Sequence, residues 1–403
     1  MMEFRQDCIY FISDRPCKFH KLDTKVVCKT CLHYKKFTTK ILIIKLAAIG
    51  DVVRTTSILK PLFKKYKNPQ ICWVTNTESL PVLENNPYVK EKISYETSWQ
   101  LTSEKFDVLI NLDLDKEAIR LTKLISADEK IGFYLDENDR IVCSNIWAEE
   151  WFKLSHNDVS KKKNKITYQK YMIKIIGFES YRVKECPIII NLTEEEKNFA
   201  KKFAEQNNIS KNDFVIGINT GGGDKWPKKE WPVENTVELI NRLLKSEKLK
   251  VKDKIKILIF GGKKEKNRNE KIFESLKFKV KSLKVNKEFG KGRELSLNFN
   301  LLTKVIDTGT DNSLREFFAL LNLCNVVVVT DSLALHVLLG LKKKVVVLFG
   351  PTSASEIETY GLGKKIVSKI DCIGCYNRDC KKSPYCMQLI TPETVVHFIN
   401  SII

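Results

Sequence analysis

The sequence predicts an α/β protein built from two doubly wound parallel sheets in tandem, with a cysteine-rich metal module at each end. Two observations carry the fold. Short β-branched runs alternate with amphipathic stretches from about residue 40, and the alternation begins again at about residue 192. A third observation, two groups of four cysteines at opposite ends of the 403-residue chain, sets the terminal segments apart. The expected divisions are 1–39, a cysteine-rich metal-binding segment; 40–190, the first sheet domain; 191–370, the second; and 371–403, a cysteine motif with a C-terminal helix.

Composition supports a folded chain: 43% of residues are hydrophobic and 29% charged. The longest apolar stretches, 41–50 and 344–350, fall short of the ~18 residues that cross a bilayer, and Lys45 interrupts the first. Asp7, Cys8 and Asp14 stand where a secretory signal needs an unbroken apolar core, so a cytoplasmic protein is expected. The 69 Lys+Arg against 49 Asp+Glu leave a net charge of +20. Such a surplus attracts polyanions, whether nucleic acid, nucleotide diphosphates or an anionic membrane face, unless it reflects simple lysine enrichment.

The first segment holds Cys8, Cys17, Cys28 and Cys31, and the last holds Cys372, Cys375, Cys380 and Cys386. In a reducing compartment such tetrads suggest metal more than disulfides, with zinc the first expectation and iron the second. Unmetallated thiols are the alternative, and His20 and His33 are spare candidate ligands. The remaining cysteines, Cys72, Cys143, Cys186 and Cys324, lie in or beside apolar runs and read as core thiols.

In the first sheet domain the expected strands are 40–46, 70–76, 106–112 and 130–135, with helices over 51–66 and 116–127. From 150 to 190 the pattern weakens into a polar, lysine-rich connection. The second series opens at LTEEEK, where Thr193 and Glu196 form a capping-box pattern. Strands are expected at 214–220, 255–262, 304–309, 325–331 and 344–350, and Ser313 with Glu316 caps a helix over 313–324. Two such sheets in tandem predict a cleft between the carboxyl ends of their strands.

Three loops at strand ends carry candidate chemistry. In IKLAAIGDVVRTT, Gly50 permits a tight turn and Asp51 opens a helix, either as a plain N-cap or as a cleft-facing carboxylate. In INTGGGDKWPKKEWP, Gly221, Gly222 and Gly223 would let backbone amides approach a phosphate, and Lys225 supplies a point charge. In VVVVTDSLALH, Thr330, Asp331 and Ser332 end an apolar strand at a helix start suited to a diphosphate. His336 lies one turn on, either as a ligand or as a hydrogen-bonded core residue.

IGDVVRTT, INTGGGDKWP and TDSLALH followed by VVVLFGPT, in that order and spacing, resemble the ADP-heptose:lipopolysaccharide heptosyltransferase family, inverting glycosyltransferases of the GT-B fold. The resemblance covers roughly 40–400 and extends to KKKNKITYQ and CMQLITPETV. It implies that Asp51 is the general base and that Thr220, Gly221, Gly222 and Lys225 contact the donor diphosphate. Gly261, Gly262, Asp331, Ser332 and His336 would complete the donor site, and Arg54, Lys163 and Asn164 would bind the acceptor. Leu333 stands where relatives carry glycine, and Lys263 where an acidic residue often meets the nucleoside.

The chemistry fits: a departing diphosphate gains negative charge while the acceptor hydroxyl must lose a proton. No Asp-x-Asp motif occupies a strand-end loop of the recognised blocks, and Asp113 and Asp115 lie outside them, so a lysine cradle is expected to do a catalytic divalent ion's electrostatic work. The implied partners are a nucleotide-sugar donor, ADP-heptose first, and a lipid-linked or protein glycan acceptor, with peripheral association at the anionic inner face of a membrane and no specific nucleic acid. A protein O-heptosyltransferase is the second reading. A nucleic-acid-binding zinc protein is the third, and it predicts basic residues interleaved with aromatics around the tetrads.

Overall fold

The computed structural model describes residues 4–223, 226–246, 255–285 and 304–402. The chain forms two compact units, Met1–Lys153 with Gln169–Cys186, and Leu154–Tyr168 with Pro187–Ile403. The expected 190/191 division falls at 186/187, and Leu154–Tyr168 groups with the second unit. That segment is polar and supplies no strand to the first sheet. Its Lys161 ammonium lies over the Tyr376 ring of the second unit at 5.0 Å.

The first unit is built on a six-stranded sheet of β1 (Lys40–Ile44), β2 (Gln70–Thr75), β3 (Glu91–Ser94), β4 (Lys105–Asn111), β5 (Ser126–Leu135) and β6 (Ile141–Cys143). Its order is β3-β2-β1-β4-β5-β6, parallel except for the antiparallel β5–β6 pair. β1 is an unbroken apolar run because helices cover both faces of a parallel sheet. Ile41, Leu42, Ile43 and Ile44 are all fully buried.

The second unit repeats the plan with β7 (Phe214–Asn219), β8 (Ile255–Phe260), β9 (Val305–Asp307), β10 (Val326–Thr330), β11 (Lys344–Phe349) and β12 (Gly363–Val367). All its pairs are parallel, in the order β12-β11-β10-β7-β8-β9. Ile216, Ile257, Val326 and Val346 meet Leu239, Leu243, Met387 and Val395 in one core. Each such side chain contributes about 1.5–3 kcal/mol by leaving water. Cys72, Cys186 and Cys324 are buried as expected, while Cys143 is half-buried. Both expected capping boxes form, at Thr193/Glu196 and Ser313/Glu316.

Several expectations shift. The helix expected over 51–66 is two, Ile49–Thr55 and Leu59–Lys65, joined by a 3₁₀ turn over Thr56–Ile58. Pro61 lacks the N–H that would continue the first helix and sits instead in the opening turn of the second. The helix expected to reach 127 ends at Leu124, because Ser126 and Ala127 pair with Lys105 and Phe106 as the start of β5. β3, β6 and β12 lie toward the sheet edges and escaped the sequence pattern. All three are short and partly exposed, with no apolar run to announce them. Among the described residues, no helix is long and apolar enough to cross a membrane.

Candidate active site

In each sheet the direction of build reverses once, between β1 and β4 in the first unit and between β7 and β10 in the second. The carboxyl ends of strands at such a reversal leave a crevice where α/β proteins bind ligands. All three motif loops leave one of these two points.

At the first point β1 runs into Lys45–Ala48, and the helix Ile49–Thr55 carries Asp51 in its first turn. The N-cap is Ala48, which has no capping side chain, and Asp51 stands in the first turn. Its Oδ1 lies 2.8 Å from the Arg54 guanidinium one turn on, with the aspartate about one-third exposed at 34% and the arginine at 12%. Asp51 and Arg54, assigned separately to catalysis and acceptor binding, therefore form one pair.

The loop that presents Asp51 is braced by Asp113, which the sequence reading placed outside the recognised blocks. Asp113 Oδ2 lies 3.1 Å from the buried Lys45 ammonium and accepts from the backbone N–H of Leu46 at 3.0 Å and of Ala47 at 3.4 Å. Its Oδ1 accepts from Asp115 N at 3.2 Å, and its own N–H donates to Asn111 Oδ1 at 3.0 Å. Asp113 reaches the loop because Ile44 at the end of β1 is paired with Asn111 at the end of β4. Sequence spacing cannot show this, since the partners are 66–68 residues apart. Asp115 caps the helix Lys116–Leu124 through Glu117 N.

At the second point the glycines stand in close contact with the residues that follow β8. Thr220 is buried, and its Oγ1 lies 2.9 Å from the Phe260 carbonyl and 2.7 Å from Asn269 Oδ1, two acceptors for its one proton. A Cβ on Gly261 would stand 2.8 Å from Glu265 Cβ and 2.9 Å from Asn269 Nδ2, and one on Gly221 would stand 3.2 Å from the Glu265 carboxyl carbon. Gly262 N–H donates to Glu265 Oε2 at 2.8 Å. These glycines let Glu265 and Asn269 close over the strand ends, so an acidic group is present here two residues beyond Lys263. Gly222 is buried against Glu230, and Gly223 at φ +76° takes the left-handed turn that glycine allows.

Beside them, Thr330 Oγ1 donates to the Gly221 carbonyl at 3.2 Å, and Ser332 is the N-cap of the helix Leu333–Gly340. Asp331 lies 4.0 Å from both the buried Lys229 ammonium and His336 Nε2. Lys225 lies outside the described residues. Lys229, buried four positions later, is the cation that the structure brings to Asp331, and it was hidden in the sequence among Lys225, Lys228 and Lys229. Lys163 is exposed at the end of the helix Asp158–Lys163. The Asn164 side chain closes a turn on Ile166 N and O, both at 2.9 Å. That amide shapes the turn that follows the helix.

The C-terminal cysteine loop hangs on the end of β11: Gly374 N–H donates to the Gly350 carbonyl at 3.0 Å and Tyr376 N–H to Pro351 at 2.8 Å. Tyr376 thereby reaches Glu356 Oε1 at 2.8 Å and the Ser353 N–H at 3.2 Å. Burial, then the Glu356 carboxylate, pushes its phenol well above the ordinary range, with Asp331 adding to the rise. The Cys386 thiol is pushed up to about 11 by burial, to which the Cys375, Cys380 and Cys372 thiols add. These four donors therefore share one neighbourhood, and the set suits a thiophilic metal. Among the described residues, however, no three His, Cys, Asp or Glu side chains are gathered as ligands of a single ion.

The model of glycosyltransferase family 9 (heptosyltransferase) matches residues 98–386. No curated protein matches the chain. Among solved structures, the family 9 glycosyl transferase of Veillonella parvula DSM 2008 is similar with a TM-score of 0.68 and 18% identity, over 91% of this chain and 97% of that one. ADP-heptose lps heptosyltransferase II of E. coli follows at 0.61 and 18% identity, over 90% and 98%. TibC, an iron-containing dodecameric glycosyltransferase of enterotoxigenic E. coli H10407, is similar at 0.51 and 12% identity, over 91% and 76%. With that family match over most of its length, the chain is a member of glycosyltransferase family 9.

Proposed function

We propose that the protein transfers a heptose, with inversion, from ADP-heptose to a lipopolysaccharide or other cell-envelope glycan acceptor. The observation that carries the reading is the Asp51 carboxylate, partly exposed beside Arg54 at the topological switch point of the first sheet. Asp51 takes the proton of the acceptor hydroxyl as that oxygen attacks, and Arg54, 2.8 Å away, holds the carboxylate in place. The Asp113–Lys45 pair keeps the loop from relaxing.

In the second unit the leaving diphosphate is met by Lys229 and by the amides at the start of Leu333–Gly340. Lys225 belongs to the same loop and is assigned the same task. Asp331 orients Lys229 and His336, and the +20 charge suits peripheral docking on the anionic cytoplasmic face of a membrane. The C-terminal tetrad, assigned a structural zinc or iron, holds the loop that delivers Tyr376 and takes no part in a chemical step.

A protein side chain as acceptor is the second reading, favoured by the similarity to iron-containing TibC together with this chain's own thiol tetrad. The deciding experiment incubates the purified chain with ADP-heptose and, separately, with heptose-deficient lipopolysaccharide or with cell-envelope protein. Transfer to lipid supports the first reading, and transfer to protein alone selects the second. Failure of every nucleotide sugar to shift the melting temperature removes both.

A further inference from the structure

Residues 4–37 form a module with a hollow where a core should be. None of them is buried: the first buried residue of the chain is Ile41. Leu22 and Leu32 are left 84% and 98% exposed, and Phe4, Ile12 and Val27 are exposed as well. A segment of this length cannot hold one shape by burial alone and needs cross-links or a bound inorganic group.

Yet the backbone is ordered around fixed points. Cys8 bridges to Lys36, Ile9 N–H donates to the Lys35 carbonyl at 2.9 Å, and Phe37 N–H donates to Asp7 at 3.0 Å. Lys90 of the sheet domain donates to the carbonyls of Ile9 at 3.0 Å and Phe11 at 2.9 Å. Between them lies a partly open pocket of about 760 Å³ whose wall includes Cys8, Cys17, Cys28, Cys31, His20 and His33 among mainly apolar and aromatic neighbours such as Tyr10, Phe11 and Phe19.

His20 gives its Nδ1 proton to the Val26 carbonyl at 2.9 Å, which leaves Nε2 with its lone pair, and His33 is stacked flat on Phe19 at 3.9 Å. The four thiols are free of disulfides, and Cys17, though it stands at the N-cap of Lys18–Leu22, makes no cap hydrogen bond. Cys28 and Cys31 bracket the single turn Cys28–Thr30. A lone tetrahedral zinc, with bonds of about 2.3 Å, would draw its sulfurs to within about 3.8 Å of one another. Among the described residues no three such ligands are gathered in that way. Thiolates set around a cavity of this size suit a larger inorganic core, and four-cysteine sites also hold iron–sulfur clusters.

We propose that Cys8, Cys17, Cys28 and Cys31 ligate an iron–sulfur cluster that completes the N-terminal module, in place of the single zinc expected from the spacing. The four thiols bind as thiolates and release their protons. Lys90, fixed beside them by two carbonyls, offsets part of the resulting negative charge. The proposal is independent of the sugar and the acceptor, since no transfer step uses this module.

The test purifies the full chain without oxygen after growth with iron, and measures iron, zinc, acid-labile sulfide and visible charge-transfer absorbance per chain. The parent is compared with Cys28→Ser/Cys31→Ser, Cys372→Ser/Cys375→Ser and Cys143→Ser. The expected result is acid-labile sulfide, with matching iron, in the parent, in Cys143→Ser and in the C-terminal double variant, and its near-complete loss in the N-terminal one. Because the N-terminal variant can fail to fold, oxidative removal of the cluster from the parent supplies a second measurement. Protease cleavage should then appear within residues 4–37 while the sheet domains stay intact. Zinc without sulfide, absence of metal, or sulfide lost only with Cys372 and Cys375 overturns the proposal.

Discussion

The two sheet units place a loop at the same topological point and brace it differently. In the first, a buried ion pair, Lys45 with Asp113, ties the loop that carries Asp51. In the second, hydrogen bonds from Thr220, the Gly262 N–H on the Glu265 carboxylate at 2.8 Å and close packing at Gly221 and Gly261 hold the strand ends, while Asp331 stands 4.0 Å from Lys229 and from His336. Asp113 and Glu265 both brace their loops by accepting backbone N–H groups, and Asp113 also pairs with a buried lysine. On the proposed reading, the base needs one carboxylate in a fixed place and the anion receptor needs its cations directed at the ligand.

Removing the base breaks the comparison most severely. Asp51→Asn should lower kcat by about 10²–10⁴-fold, the usual contribution of a general base, while calorimetric affinity for the donor stays at the parental value. Equal loss of both would move Asp51 into donor binding. Next in size is the brace. Asp113→Ala leaves the Lys45 ammonium buried without its partner and should cost about 3–5 kcal/mol, read as a lowered transition for the first unit alone. Lys45→Met with Asp113→Leu should recover most of that stability but little turnover, because the loop amides of Leu46 and Ala47 lose their acceptor.

Much of this division was readable in the sequence. β7, β10 and β11 are buried on both faces and so appear as nearly unbroken apolar runs, and the loops that follow them announce the second switch point. Asp51 was visible because it follows such a run directly. Asp113 was visible only as a carboxylate: its role depends on the β1–β4 register, which pairs Ile44 with Asn111 and is a product of the fold. Lys229 could not be separated from its neighbours by type, since burial is what distinguishes it. The packing of Glu265 against Gly221, and of Glu265 and Asn269 against Gly261, depends on the fold and has no signal in the glycine run itself.

Two changes in the second unit sharpen the contrast at smaller scale. Lys229→Met should weaken donor binding by about tenfold or more, the scale of one charged hydrogen bond, with little change in melting temperature without ligand. A fall in stability without a fall in affinity would make Lys229 a partner of Asp331 only. Gly261→Ala pushes a methyl against Glu265 and Asn269 and should cost about 1–3 kcal/mol in the second unit's transition. A neutral result would show that the loop gives way freely.

The smallest expected effect concerns acid, and it tests how far a charged pair away from the site holds the second unit together. Away from the site, Arg315 bonds Glu196 through two nitrogens at 2.6 and 2.7 Å, joining the helices Glu194–Gln206 and Leu314–Leu321. Burial works to raise the Glu196 carboxyl, but the Arg315 hydrogen bond and the Thr193 N–H outweigh it and hold the group below its ordinary 4.5. A carboxyl lowered in the folded state adds stability that is complete above that ordinary value and drains away as the pH falls through the lower, folded one. The second unit's transition should therefore lose stability in this acid window, and Arg315→Met should remove most of that dependence. An unchanged acid profile in Arg315→Met would assign the loss to other carboxylates and leave the helix pair held by Phe317 and Phe318 packing.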